Sequence, residues 1–91
     1  MNEQERCRVT VVNALGLHAR AAARFVRLSG QFRSGIQVAR GERRVDGKSI
    51  LGLLLLAAAR GTVIEITALG DDAADAIAAL CGLVERGFED A

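Results

Sequence analysis

Polar and apolar positions alternate over Cys7-Arg8-Val9-Thr10-Val11, the period-two pattern of a strand with one buried face. Asn13-Ala14-Leu15-Gly16 then supplies turn residues, which end the strand at about Asn13. From His18 to Ser29 the period lengthens. Ala22, Phe25, Val26 and Ser29 fall at helical spacing, Arg20, Arg24 and Arg27 line a different face, and Gly30 stops the helix. Ile36 to Arg40, Gly41-Glu42 and Arg43-Arg44-Val45 read as a hairpin with a short second strand, broken by Asp46-Gly47-Lys48. Ser49 to Ala59 follows as a second helix. Its Ile50, Leu51, Leu53, Leu54, Leu55 and Leu56 cover nearly every direction around the axis, and Arg60-Gly61 stops it. Val63 to Leu69 alternates again, with Ile64, Ile66 and Ala68 on one face and Glu65 and Thr67 on the other. Gly70 ends that strand, and Asp71 or Asp72 offers an N-cap for a last helix with a core stripe of Ala73, Ala76, Ile77, Leu80 and Val84.

The predicted order is β-α-β-β-α-β-α, uninterrupted by any repeat, linker or low-complexity stretch. Helices separate strands one, two and four, so the natural packing is a sheet of interleaved order with every helix on one face. Arg8, Thr10, Gln37, Arg44, Glu65 and Thr67 are then expected on the open face. A chain of 91 residues builds one core, so a single domain over 1–91 is expected, with its core within 7–88.

Charge changes the picture more than composition does. The 51% of apolar residues suffices for a folded core, and 12 basic against 11 acidic side chains argue against disorder. The signs are segregated, however: Met1 to Arg44 holds nine arginines against three acids, and Val45 to Ala91 holds three basic residues against eight acids. One end of the molecule should therefore favour acidic partners or phosphate. Nucleic acid fits less well, because the only aromatics are three Phe. Cys7 and Cys81 each lie in an apolar-periodic segment and read as two reduced core thiols of a cytosolic protein. With one histidine and no clustered thiols, a metal site lacks ligands. The start, MNEQERC, has no hydrophobic signal region, and the run from Ile50 to Ala59 is too short to span a bilayer, so neither export nor membrane insertion is expected.

The one histidine, His18, stands where strand, glycine turn and helix meet, so its ring can sit over the first helical turn. Free backbone N–H groups at a helix start favour an anion beside them. A neutral ring nitrogen there can attack phosphorus, and the resulting phosphohistidine finds donors waiting in Ala19, Arg20 and Ala21. The Arg20 guanidinium can fork onto the phosphoryl oxygens, and Arg24 lies one turn further on. By itself, a lone histidine near a cap is most often a solvated surface residue, and His-x-Arg is not a specific signal.

Motifs at several separated places carry more weight. Gly16-Leu17-His18-Ala19-Arg20-Ala21-Ala22 resembles the active-site motif of HPr, the histidine phosphocarrier family of the bacterial phosphotransferase system. Lys48-Ser49-Ile50-Leu51-Gly52, Gly61-Thr62 and Gly70-Asp71-Asp72 stand at the separations that family shows, so the resemblance runs from Cys7 to about Val84. It implies an α+β fold, the open-faced β-sandwich of four antiparallel strands covered on one face by three helices. It also implies phosphorylation of His18, stabilisation by Arg20, and phosphoryl arriving from an Enzyme I-type phosphotransferase, ultimately from phosphoenolpyruvate, and leaving to an enzyme IIA domain. No cofactor is implied, and the chain would be a cytoplasmic, monomeric carrier and not an enzyme.

Many members of that family carry proline after the active-site arginine, where this chain has Ala21. A first-turn proline pre-sets the helix start, and alanine leaves that turn looser. The Ala-rich form resembles the proteobacterial branch, which includes nitrogen-related NPr carriers, so sugar transport and regulation both remain open. Ser49 has two readings: a helix N-cap, or by the resemblance a serine modified by HPr kinase/phosphorylase, whose added charge would disturb docking. So apolar a second helix cannot bury all its leucines against one sheet. By the family pattern Leu17, Ile50, Leu51 and Leu54 are expected to form the docking surface, ringed by Arg20, Arg24 and Arg27. The competing function is a regulatory binding module of the same fold that docks partners without relaying phosphate; retention of both His18 and Arg20 favours the relay.

Overall fold

A computed structural model describes residues 3–90, and the sheet in it is organised around its last strand. β1 (Glu3–Thr10) leads through a loop to α1 (Ala19–Ser29). β2 (Gly35–Arg40) and β3 (Arg43–Asp46) form the hairpin, followed by α2 (Ile50–Leu56), β4 (Val63–Gly70) and α3 (Ala73–Glu85). β4 is the strand with two long neighbours: it pairs antiparallel with β1 on one side and β2 on the other, giving the order β1-β4-β2-β3. The register sets Val9 opposite Ile64, and both Cys7 and Val38 opposite Ile66, so one face of the sheet is apolar across all its width. Side chains alternate in direction along a strand, which sends Arg8, paired with Glu65, and Gln37, paired with Thr67, to the open face. The three helices cover the apolar face, and Phe25, Leu53, Leu56, Leu80 and Val84 fill the space beneath them. This is the expected open-faced α+β sandwich.

Several boundaries differ from the sequence reading. β1 begins at Glu3, four residues before the alternation does, because Glu3 to Arg6 pair with Gly70 to Thr67 through backbone bonds that need no apolar side chains. It also ends sooner, at Thr10. The Val11 backbone instead exchanges bonds with Gly61 and Thr62, donating to Thr62 O at 2.9 Å and accepting from Gly61 N at 2.7 Å. α2 stops at Leu56 and not at Ala59: Ala57 turns left-handed at φ 53°, and its N–H returns to Leu54 O. The stop is tertiary in origin, since Ala58 O accepts from Leu17 N at 2.9 Å.

A one-turn segment over Gly87–Asp90 follows α3, and the sequence pattern did not announce it. Phe88 within it has a left-handed backbone and no exposed surface, so it plugs the core from the far end of the chain. Asp72 stands at the N-cap of α3 but does not cap it. Its carboxylate accepts from Ser34 Oγ at 2.5 Å and from the amides of Ser34 and Arg33 at 3.0 and 2.9 Å. These bonds hold the carboxyl at about 2, below its usual 3.8, the Ser34 hydroxyl contributing most. Cys7 and Cys81 are free thiols, as expected, but each is only half-buried. Among the described residues no helix is long and apolar enough to cross a membrane, and no group of three acidic, thiol or imidazole side chains is placed to hold a metal ion.

Candidate functional site

The site begins with a turn that has little freedom. Asn13 Nδ2 donates to Gly16 O at 2.7 Å, Gly16 N to Asn13 O at 3.1 Å, and His18 N to Gly16 O at 2.9 Å. Gly16 holds φ at +64°, and a Cβ there would lie 2.5 Å from Ala58 O, so only glycine lets the turn rest against the loop after α2. Leu17 then drops into the core and fixes the chain on both sides of the glycine.

With the turn so anchored, His18 becomes the N-cap of α1, extended at φ −83° and ψ −176°. Its backbone carbonyl accepts the first intrahelical bond, from Ala22 N at 2.8 Å, leaving the amides of Ala19, Arg20 and Ala21 at the open helix end. The ring folds back over that end, where Nδ1 accepts from Arg20 N at 3.3 Å. Nε2 is shielded from solvent and has no hydrogen-bond partner among the described residues. The two nitrogens therefore differ: in the neutral ring Nδ1 carries the lone pair and faces the helix opening, and Nε2 carries the proton.

Arg20 is exposed in the same turn, and among the described residues its guanidinium makes no hydrogen bond, which leaves it available to an anion at Nδ1. A lone-pair nitrogen, three helix-start amides and an unengaged guanidinium on one small surface make a place for a tetrahedral oxyanion.

Residues 5–86 match the family model described as the PTS HPr component phosphorylation site. The chain belongs to the HPr phosphocarrier family. It is 48% identical to the phosphocarrier protein HPr of Neisseria meningitidis over 80 residues, covering 88% of this chain and 90% of that protein. It is 41% identical to the phosphocarrier protein NPr of Shewanella violacea over 91 residues, covering 100% and 99%. Among solved structures, HPr from Thermoanaerobacter tengcongensis superposes with a TM-score of 0.91 at 38% identity, covering 96% of this chain and 98% of that one.

Beside the HPr-type turn, α2 presents Ile50, Leu51, Leu54 and Leu55 to solvent, Leu51 at 67% exposure, while Leu53 and Leu56 are fully buried. Together the four exposed residues make an apolar patch of the kind that soluble proteins use for contacts. Leu17 does not belong to it: at 5% exposure it is a core residue, a correction that follows from its tie to Ala58. Leu15, in the turn ahead of His18, is exposed, and the sequence reading had not singled it out.

The basic residues of α1 also separate. Arg24 is half-buried and donates from NH1 to the carbonyls of Phe88 and Glu89, at 2.8 and 2.6 Å, so it clasps the C-terminal turn and is not free to ring the leucines. With Arg27 it lines a groove between α1 and α3 that includes Ala78, Leu83 and Glu89 and no residue of α2. Ser49 is the N-cap of α2, its Oγ accepting from Gly52 N at 3.0 Å, which is the capping half of its expected pair of roles.

Proposed function

We propose that this chain is a cytoplasmic phosphoryl carrier in which His18 Nδ1 accepts phosphoryl from an Enzyme I-type phosphotransferase and passes it to an enzyme IIA domain. The observation that carries the proposal is the orientation of the ring: Nδ1 faces the helix opening through a long, 3.3 Å bond, and Nε2 is occluded. In the forward step the Nδ1 lone pair forms the bond to phosphorus while the bond from phosphorus to the donor breaks, its electrons staying with the donor. The ring keeps its Nε2 proton. Arg20 N–H, released from Nδ1, turns to a phosphoryl oxygen, and the amides of Ala19 and Ala21 add donors. Arg20 supplies a bidentate cation as charge gathers on the oxygens, and the leucines of α2 position the partner. The chain itself turns over no substrate; donor and acceptor proteins complete each in-line site.

The test is phosphorylation in vitro. Purified protein with a cognate Enzyme I and phosphoenolpyruvate should gain a phosphate that is labile in acid and stable in alkali, and His18→Ala should lose it. A wild-type protein that gains none under those conditions leaves the regulatory, docking-only reading. Charge added at Ser49 by an HPr kinase/phosphorylase would fall at the start of the leucine-rich helix and act on docking, not on the ring. Whether the accepting domain belongs to a sugar permease or to a nitrogen-type relay follows from which enzyme IIA protein discharges the phosphorylated form.

A further inference from the structure

Asn13 is buried next to the turn that carries His18, and it meets parts of the chain that lie far apart in sequence. Its root is firmly held, because Val11, two residues earlier, exchanges backbone bonds with Gly61 and Thr62. Gly87 packs against it: a Cβ built on that glycine would meet Asn13 Cβ at 3.5 Å. The next residue, Phe88, is locked in the core, and Arg24 of α1 holds its carbonyl at 2.8 Å. Braced in this way, the Asn13 carboxamide reaches into the His18 turn, where Nδ2 donates to Gly16 O at 2.7 Å. The peptide unit between Gly16 and Leu17 is thereby pinned at both edges, its carbonyl by Asn13 and its N–H by Ala58 O at 2.9 Å. That same carbonyl accepts from His18 N at 2.9 Å, so the backbone from which the ring hangs takes its direction from one oxygen.

We propose that Asn13 is a positioning residue for phosphoryl acceptance at His18, an inference that rests on the carrier reading above. Its side-chain N–H holds the Gly16 carbonyl and so keeps the ring over the opening of α1, with Nδ1 aimed at an incoming phosphorus. Without that bond the carbonyl keeps only the His18 amide, its own near neighbour, and the peptide plane can tilt. The bond from Arg20 N to Nδ1, at 3.3 Å, is too long to set the ring alone. A donor is what the position requires. Aspartate has the same size, but its carboxylate would set an acceptor against the Gly16 oxygen. Tilting the ring slows the chemical step, where small misplacements of reacting atoms are costly, and leaves untouched the leucines of α2 that a partner would meet.

Asn13→Asp and Asn13→Ala in the full-length protein test this, with the ring read before any phosphate is added. Nitrogen NMR of the His18 ring should show the Nε2-protonated tautomer dominant in the wild type and a mixture of tautomers in both variants. In phosphorylation by Enzyme I and phosphoenolpyruvate, kcat should fall roughly 10- to 100-fold while KM for the carrier stays within about twofold. A merely structural role would lower the unfolding midpoint but leave the tautomer and the rate per folded molecule unchanged, and that result overturns the proposal. So does an Asn13→Asp protein with the wild-type tautomer and kcat, or a wild type that already populates both tautomers. If Asn13→Ala does not fold, the isosteric Asn13→Asp decides. If neither folds, hydrogen exchange at the Asn13 carboxamide of the wild type decides: protection supports the bond, and exchange as fast as in an unfolded chain overturns it. A wild type that takes no phosphate removes the carrier reading, and the tautomer comparison, made without phosphate, still decides whether Asn13 aims the ring.

Discussion

The amide of Leu17 donates to the carbonyl of Ala58 across 2.9 Å, and this bond joins the turn carrying His18 to the end of the leucine-rich helix. The ring at the start of α1 and the exposed leucines of α2 are thereby held in one geometry. Gly16 makes the approach possible, since any Cβ at that position would strike the Ala58–Ala59 backbone.

Gly16→Ala should therefore damage both stability and transfer. A left-handed alanine and a backbone clash together are expected to cost about 2–4 kcal/mol, read as a lower midpoint in urea unfolding. Phosphoryl acceptance should fall even where the variant remains folded. Wild-type stability in this variant would mean that the turn relaxes freely and does not set the ring.

Arg20→Ala and Leu51→Glu should fail differently. Loss of a guanidinium from a charge-assisted contact is worth about 1.5–3 kcal/mol, so Arg20→Ala should slow phosphoryl transfer roughly 10- to 100-fold with little change in partner affinity. A charge at the most exposed leucine of α2 should instead weaken docking by about tenfold or more and leave the chemical step of the bound complex intact. Rapid-quench kinetics beside titration calorimetry separates the two, and equal docking loss in both variants would contradict the division.

Ser49→Ala removes the acceptor for Gly52 N and should destabilise the fold by about 1 kcal/mol. Ser49→Asp keeps an acceptor at that position, so its stability should stay near that of the wild type while transfer slows through the added charge. A Ser49→Asp protein as unstable as Ser49→Ala would show that the cap geometry does not accept a carboxylate.

Asp72 gives the acid limb of the stability profile a specific contributor. Its folded-state pKa of about 2 lies below the usual 3.8, so its contribution is complete above 3.8 and fades as pH falls through about 2. Asp72→Asn lacks this titration. Wild type should lose stability faster than the variant across that window, measured as unfolding midpoints at a series of pH values, and parallel curves would remove Asp72 from the account.

What the sequence made legible were features encoded by neighbours in the chain. The alternation of Ile64, Ile66 and Ala68 gave β4 its buried face, the spacing of Ala22, Phe25 and Ser29 gave α1 its own, and Gly16-Leu17-His18 placed the ring at a helix start. What stayed hidden were contacts between distant residues. Nothing near Ala57 predicts a left-handed residue there, because the helix is stopped by Leu17, forty residues earlier in sequence. Leu17 looked like a docking side chain for the same reason: the motif reports its neighbour's chemistry, not its own direction. Arg24, read as a partner contact from the arginine face of α1, is occupied by carbonyls at the other end of the protein. Phe88 offered no periodicity to announce that it fills the core.

The β2–β3 hairpin also reaches α2: Arg40 Nε donates to Leu56 O at 2.8 Å and Arg43 NH1 to Leu55 O at 2.7 Å. A helix of seven residues would fray on its own, and two arginines on its last carbonyls, where the dipole favours cations, splice it to the sheet. Its leucines thus form a rigid greasy ledge instead of a loose one. A partner that met that ledge would find it already in order and would spend no binding free energy on arranging it.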